Sequence, residues 1–321
     1  MAADKPGILV MYHCPQRLMR ELGERYEVFG PVLERSPAAL PEGARERVRA
    51  ILTVGSMVLG GDAMLDALPN LRHVHCYGTG FERIERAALK ARGISLSNAA
   101  DANAAAVADM AMALLLASTR RVAEADRYIR AGKWDRRGTD KWPPITGMSG
   151  AKVGILGLGA IGQKVAVRAA AFDAEIGYHS RTKRTDVAWR YLDSALALAE
   201  WSDFVVVALR ADASNRHIVN AAFLKALGPR GHVVNISRGI AIDEAALADA
   251  LADGTIAGAG IDVFDEEPKI PPRLMEQTSL VMSPHLGGGT RQAHAAMGAK
   301  AVANFDAHFA GKPLVSGVSL D

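Results

Sequence analysis

The segment KVGILGLGAIG, residues 152–162, sets an apolar run directly before three glycines, Gly157, Gly159 and Gly162. The helix-like stretch AIGQKVAVRAAAF overlaps its end. A strand that turns through G-x-G-x-x-G into a helix is the phosphate-binding opening of a dinucleotide fold. Gly157 allows the tight turn, Gly159 lets the backbone approach a pyrophosphate, and Gly162 lets the helix pack close to the sheet. The unpaired N–H groups of the first helical turn, around Ala160 and Ile161, then meet the phosphates. A glycine-rich turn with no ligand is the competing reading. The ordered succession of strand, loop, helix and second strand favours the dinucleotide fold.

That second strand, read at 175–180, runs into HSRTKR, residues 179–184. In an NAD-binding sheet an acidic residue about twenty positions past the glycines holds the adenosine ribose hydroxyls. Here Arg181 stands nineteen residues after Gly162, and no carboxylate occurs between His179 and Asp186. An acid would repel a 2′-phosphate, whereas arginine grips one by charge and fork geometry. Ser180 and Thr182 add hydroxyl donors. The expected cofactor is therefore NADP(H) in preference to NAD(H), with a solvated basic turn as the plain alternative.

Six apolar runs in this region read as strands, at 152–157, 175–180, 204–209, 232–237, 258–264 and 280–285. They make a complete Rossmann-type doubly wound parallel sheet. Upstream, GILVMY, VRAILTV, LRHVHCY and GISLS alternate with helix-like stretches and read as a smaller α/β domain. An Ala-rich segment from Asp101 predicts one long helix, and 290–309 predicts another that returns to the first domain. The expected division is a substrate domain over 1–100 and 287–321, and a dinucleotide domain over 101–286.

A chain of 321 residues accommodates both domains, and a net charge of +3 argues against nucleic acid or a membrane surface as partner. Cys14 and Cys76 have no metal-ligand spacing and suit a reducing compartment. The N-terminal stretch lacks a signal-peptide pattern, and MAMALLLAS is too short to span a bilayer. A cytoplasmic protein is expected.

Three further motifs sit at strand carboxyl ends, where open α/β sheets bind ligands. NISRGIAIDEAAL carries Arg238, GIDVFDEEP carries Asp262 and Glu267, and MSPHLGGGT carries His285. Each has a bland reading taken alone, as a surface arginine, a charged turn or a loop histidine. Together with YGTGFERI, VADMAMALLLASTRRVAEADRYIRAGKW and the glycine loop, they make the chain resemble the D-isomer-specific 2-hydroxyacid dehydrogenase family. The resemblance runs from about Gly55 to Thr290 and is strongest toward the NADP-dependent glyoxylate/hydroxypyruvate reductase branch.

The resemblance implies a flavodoxin-like first domain and a role for each motif residue. His285 is the general acid in reduction of a 2-oxo acid, Glu267 pairs with it, and Arg238 holds the substrate carboxylate and polarises its carbonyl. The chemistry agrees. Hydride delivery to a ketone leaves negative charge on oxygen, so a proton donor must stand there. An imidazole titrates near about pH 6.5, and a carboxylate partner favours its protonated form. Cofactor contacts are expected from Leu209, Ile236, Arg238, Asp262, His285 and Gly287 as well. CYGTGFERI resembles the family's substrate loop, with Gly78, Thr79 and Gly80 as an anion nest. TVGSMVLGG resembles a second substrate loop, bringing Gly55, Ser56 and Met57; Met57, Val58 and Leu59 either wall the pocket or belong to the core. Closure of the two domains, hinged near 100–103 and Leu286, would complete the site and exclude water.

The segment 120–147, with Trp134, Trp142 and Pro143-Pro144, is expected to form the arm of a homodimer or else to pack on its own subunit. Two departures from the family pattern stand out: SNAADANA at 97–104 replaces the usual proline and glycine, and Arg210 replaces a common proline. Three rival functions fit parts of the pattern. A dinucleotide-sensing corepressor-like scaffold would carry a partner-binding tail, and none is visible. A formate dehydrogenase would carry glutamine where Glu267 stands. A reductase of larger 2-oxo acids such as phenylpyruvates remains compatible with the loops at 55–61.

Overall fold

The computed structural model describes residues 5–55, 58–59, 61–135, 142 and 144–321. The chain divides into two compact units, one of Met1–Asn103 with Gly288–Asp321, the other of Ala104–Gly287. Both are α/β, as the alternation of runs implies.

In the first unit five parallel strands, β1 (Gly7–Val10), β2 (Glu27–Phe29), β3 (Val48–Thr53), β4 (His73–Cys76) and β5 (Ser95–Asn98), run in the order β2-β1-β3-β4-β5. This is the flavodoxin-like order, with its reversal between β1 and β3. A two-residue strand, Gly317–Val318, pairs antiparallel with β5. The register of β4 on β5 sets His73 opposite Ser95 and His75 opposite Ser97. Alternate residues of a strand share a face, so His73 meets both serines and His75 meets Ser97. His73 lies 2.8 Å from Ser95 Oγ through Nδ1 and 2.9 Å from Ser97 Oγ through Nε2, and His75 Nδ1 lies 2.7 Å from Ser97 Oγ. The helix Arg291–Phe309 covers this face, with Phe305 against both rings and His308 stacked on His73. The opposite face, with Val74, Cys76 and Leu96, enters the apolar core.

Among the described residues the second unit holds seven strands: β6 (Lys152–Leu156), β7 (Glu175–His179), β8 (Arg190–Tyr191), β9 (Phe204–Val207), β10 (His232–Asn235), β11 (Gly258–Ile261) and β12 (Leu280–Met282). Their order is β8-β7-β6-β9-β10-β11-β12, every pairing parallel. Both faces are buried. Val205 and Val207 belong to one core, while Phe204 and Val206 belong to the other. The helix Ala104–Thr119 is apolar on most of its circumference and packs across the second core. Burying one such side chain is worth about 1.5–3 kcal/mol, so these cores carry the stability and leave the strand ends to polar chemistry. Among the described residues no helix is long and apolar enough to cross a membrane, and no cluster of three metal-ligating side chains occurs.

The paired histidines make the first unit acid-sensitive. Burial, joined by the charges of His308 and His75, pushes His73 down to about 2, and burial pushes His75 down to about 3. The folded state keeps both neutral while the unfolded chain takes up protons below about pH 6.5, so stability is full above that pH and lost below it. The limiting slope is about 1.4 kcal/mol per pH unit for each histidine. Chemical unfolding followed from about pH 7.5 to about pH 5 should show this fall, and a His73→Gln, His75→Gln double variant should flatten it. The same slope in the variant would remove these residues from the account.

Candidate active site

The second sheet reverses its strand order between β6 and β9, and the glycine loop sits at that point. Gly157 adopts φ +100°, and a Cβ there would lie 2.4 Å from Leu209 Cα, just beyond β9. No side chain fits between the two strand ends. The Gly157 N–H donates to His179 O at 2.8 Å, which ties the loop to the end of β7. A Cβ on Gly162 would lie 2.0 Å from Gly157 O, so the helix rests directly on the loop. Gly159 caps the helix Ala160–Ala170 and offers no capping side chain. A Cβ on Gly159 would meet no protein atom within 4 Å. The first-turn N–H groups, Ala160 and Ile161 among them, lack intrahelical partners and point toward that open side. The cradle fits a dinucleotide pyrophosphate. Gln163 steadies it, donating to Gly159 O at 3.2 Å.

Beyond β7 the basic residues split into two kinds. Arg184 is a structural residue. It pairs with Asp186, reaches Leu158 O at 3.4 Å, and has its own N–H held by the Tyr178 hydroxyl at 2.9 Å. Arg181 is exposed and makes no hydrogen bond or ion pair with a described residue. Its charge, with that of Arg210, helps hold the Asp212 carboxyl below the usual range, an effect led by the Ser214 hydroxyl. Ser180 donates its hydroxyl proton to Thr182 O at 2.8 Å, so in this conformation it is not a free donor. Thr182 is exposed.

The loops after β10, β11 and β12 bring the three motif residues together. Arg238 follows β10 and is half-buried, with Nη1 donating to Ser237 O at 2.6 Å. Gly239 explains how its loop meets the next one: a Cβ there would fall 1.9 Å from the Phe264 carbonyl carbon and 2.0 Å from Asp265 N. Glu267 follows β11, before a cis peptide to Pro268. Its Oε1 accepts the Phe264 N–H at 3.0 Å, and its Oε2 lies 2.8 Å from His285 Nδ1. Burial alone would raise the Glu267 pKa. The His285 hydrogen bond, the Phe264 N–H and the charges of His285 and Arg238 outweigh it and hold the carboxyl below its usual range. Arg238 and His285 thus act on one carboxylate.

His285 follows β12 with φ +53°, a left-handed conformation uncommon for non-glycine residues. Asp262, 2% exposed at the end of β11, holds it there. Asp262 Oδ1 accepts from the Ser283 hydroxyl at 2.5 Å and from Leu286 N–H at 2.8 Å, and Oδ2 accepts from Gly287 N–H at 2.8 Å. The His285 N–H donates to Asp262 O at 2.8 Å. Asp262 was expected among cofactor contacts; both its carboxylate oxygens bind the histidine loop. Ile236 is 5% exposed, in the core beneath the loops.

In the first unit Gly55 packs backbone to backbone on the other expected substrate loop, since a Cβ there would lie 1.7 Å from Gly80 O. The N–H groups of Gly78, Thr79 and Gly80 donate to no described residue. Ser56, Met57 and Gly60 lie outside the described residues. Leu59 is core at 5% exposed, and Val58 is exposed. In the expected arm, 136–141 and Pro143 lie outside the described residues. Trp142 packs on its own chain, under the Arg121 guanidinium and edge-on to Tyr128. The contact from Glu244 to Asp265 N, at 2.8 Å, was not anticipated from sequence. It joins residues twenty-one apart, with no periodicity or spacing to signal it.

A phosphate cradle at the switch point, with an imidazole–carboxylate pair and an arginine at neighbouring strand ends, defines an oxidoreductase that uses a nicotinamide dinucleotide. The family model for the D-isomer specific 2-hydroxyacid dehydrogenase, NAD binding domain, matches residues 112–287. The chain is 39% identical to a glyoxylate/hydroxypyruvate reductase A of Arabidopsis thaliana, over 97% of this chain and 98% of that one. It is 38% identical to a hydroxyphenylpyruvate reductase of Plectranthus scutellarioides, over 97% and 98%. Among solved structures, an NADPH-dependent glyoxylate/hydroxypyruvate reductase of Sinorhizobium meliloti in complex with NADP and malonate aligns with TM-score 0.88 and 34% identity, covering 98% of this chain and 97% of that one. The chain belongs to the D-isomer-specific 2-hydroxyacid dehydrogenase family.

The Glu267–His285 bond can be tested by removing the charge of Glu267 while keeping its acceptor. An anion beside an imidazole favours the protonated ring. Glu267→Gln keeps an acceptor but removes that charge, so the rate of 2-oxo acid reduction should fall by about tenfold or more. A rate–pH profile of the variant that overlays the parent would contradict the pairing.

Proposed function

We propose that the protein catalyses NADPH-dependent reduction of small 2-oxo acids, of the glyoxylate and hydroxypyruvate type, to D-2-hydroxy acids. The His285–Glu267 hydrogen bond carries this reading. Glu267 occupies Nδ1, so Nε2 is left to face the substrate carbonyl. When bound, the reduced nicotinamide supplies the hydride. His285 supplies the proton to the carbonyl oxygen, and Glu267 stabilises the imidazolium that donates it. Arg238 binds the substrate carboxylate and polarises the carbonyl, with a fork that matches a planar anion. Ser56 and Met57 are assigned to substrate binding together with Gly55, Gly78, Thr79 and Gly80; the three adjacent N–H groups from Gly78 on suit a carboxylate. Leu209, which abuts Gly157 of the glycine loop, is assigned to the cofactor together with Ile236 and Gly287, from the segments after β10 and β12.

The preference for NADP(H) rests on Arg181, with Ser180 and Thr182 beside it. Arg181 is the arginine of this turn that its neighbours leave uncommitted, and no acid replaces it at the end of β7. The relative from Sinorhizobium meliloti, solved with NADP, supports the same choice. A second reading takes aryl 2-oxo acids as substrates, since the 38% identical relative from Plectranthus scutellarioides is a hydroxyphenylpyruvate reductase. The protein is further assigned as a cytoplasmic homodimer. The helix Val122–Arg130 buries none of its residues, and Val122, Ile129 and Trp134 are each more than half exposed. Sedimentation that returned a single mass of 34.1 kDa would refute the dimer.

NADPH oxidation measured with glyoxylate, hydroxypyruvate and phenylpyruvate decides between the substrate readings. His285→Ala should lose about 10²- to 10⁴-fold in kcat while still binding NADPH; a variant near the parent rate would take His285 out of the mechanism. If NADPH binds and no 2-oxo acid turns over, a dinucleotide-sensing scaffold replaces the enzyme. Arg181→Glu should raise KM for NADPH and shift preference toward NADH by at least about tenfold. Unchanged NADPH affinity would mean that Arg181 is only a solvated turn residue.

A further inference from the structure

We propose that Glu244 is a positioning residue for the His285–Glu267 pair: from the segment that carries Arg238 it grips the backbone of the segment that carries Glu267. The proposal rests on the reductase reading above. Glu244 opens the helix Glu244–Ala252 but is not its cap. Asp243 takes that role, accepting the N–H groups of Ala245 and Ala246 at 3.1 Å each. The Glu244 side chain is therefore available to the neighbouring loop, where Oε1 accepts the Asp265 N–H at 2.8 Å.

The bond falls at the point where the two loops touch. Gly239, next to Arg238, abuts the Phe264 carbonyl carbon and Asp265 N with no room for a Cβ. Two successive N–H groups are thus held by two different carboxylates. Glu267 Oε1 takes that of Phe264 at 3.0 Å and Glu244 takes that of Asp265. Residues 264–267 lie outside any strand or helix, so no ladder fixes them. The Asp265 side chain turns to Arg216 at 3.1 Å and does not compete. Loss of the Glu244 bond would free the turn on the side facing Arg238, and small displacements of a proton-donating pair cost large factors in rate. Glu244 is half-buried; burial foremost, with the charges of Asp265 and Glu266, raises its pKa, opposed by the Asp265 N–H and by His217. Asp262 does the corresponding service for the other partner, since its oxygens bind the loop that carries His285.

Three variants of the full chain test the proposal: Glu244→Ala, Glu244→Gln and Glu244→Asp. For each, kcat and KM are measured with NADPH and a 2-oxo acid, and amide hydrogen exchange is followed at Asp265. Glu244→Ala should lower kcat by about ten- to a hundredfold, leave KM for NADPH within about twofold, and speed exchange at Asp265. Glu244→Gln, whose amide carbonyl still accepts the N–H, should restore most of the rate. Glu244→Asp keeps the charge but falls short of the N–H, and should resemble Glu244→Ala; it stands in should that variant unfold. Parent-like kcat with fast exchange at Asp265 overturns the proposal, as does a glutamine variant as slow as alanine. A parent enzyme that reduces no 2-oxo acid overturns the reductase reading itself, and this is settled before any variant is compared.

Discussion

A parallel sheet buried on both faces has nowhere to put polar chemistry except at its strand ends. In the second unit Val205, Val207 and Val233 point into one core, while Phe204, Val206 and Val234 point into the other. Within the central strands the backbone groups pair with the strands on either side. The chain regains polar freedom only where pairing stops, after Leu156, His179, Val207, Asn235, Ile261 and Met282. Gly157, Arg181, Leu209, Arg238, Asp262 and His285 all come from these exits. The clustering of the site follows from the sheet, because parallel strands bring all their carboxyl ends to one edge.

Such loops must hold their shape without a ladder, and three carboxylates do that work here. Asp262 accepts two backbone N–H groups and a hydroxyl, Glu267 accepts one N–H, and Glu244 accepts another. Hydrogen bonds to a charged acceptor contribute about 1.5–3 kcal/mol each when shielded from water. Exposed ion pairs such as Arg130–Asp126 contribute little, because solvent screens their charges. The ordering of the site therefore comes from buried and half-buried carboxylates on backbone donors, and surface charge pairs add little to it. Glu267 joins the two tasks, since one oxygen fixes the Phe264 N–H and the other orients the imidazole.

The parts of this design that depend on local spacing were legible in the sequence. Strand, glycine loop and helix follow one another without a gap, and the exchange of an acid for Arg181 is visible nineteen residues on. Strand carboxyl ends were read too long. The run 258–264 stops as a strand at Ile261, and 280–285 stops at Met282, because apolar composition continues past the last paired residue. β2 and β8 escaped notice because three or two residues carry no period. The pairing of His285 with Glu267 emerged from resemblance, and the bond from Glu244 to Asp265 from neither. Both join separate loops, and sequence spacing does not encode contacts that tertiary packing creates. The division between Arg184 and Arg181 was equally hidden, since it depends on Asp186 pairing with one of two similar side chains and on the Tyr178 hydroxyl holding the backbone of that same residue.

Histidine shows most clearly why residue type alone does not assign a role. His73, His75 and His232 all lean on serine hydroxyls inside apolar surroundings, and burial pushes each downward, His232 to about 4. A hydroxyl partner is neutral and does not stabilise an imidazolium against the loss of water, so these rings stay neutral and serve packing. His285 is half-exposed at a strand end and bonded to a carboxylate that is itself held ionised by its surroundings. Of these four histidines it is the one whose partner carries a compensating charge. What sets His285 apart from the core histidines is the charge of its neighbour and the reach of solvent, both supplied at the sheet edge, and the proposed role of proton donor rests on that difference.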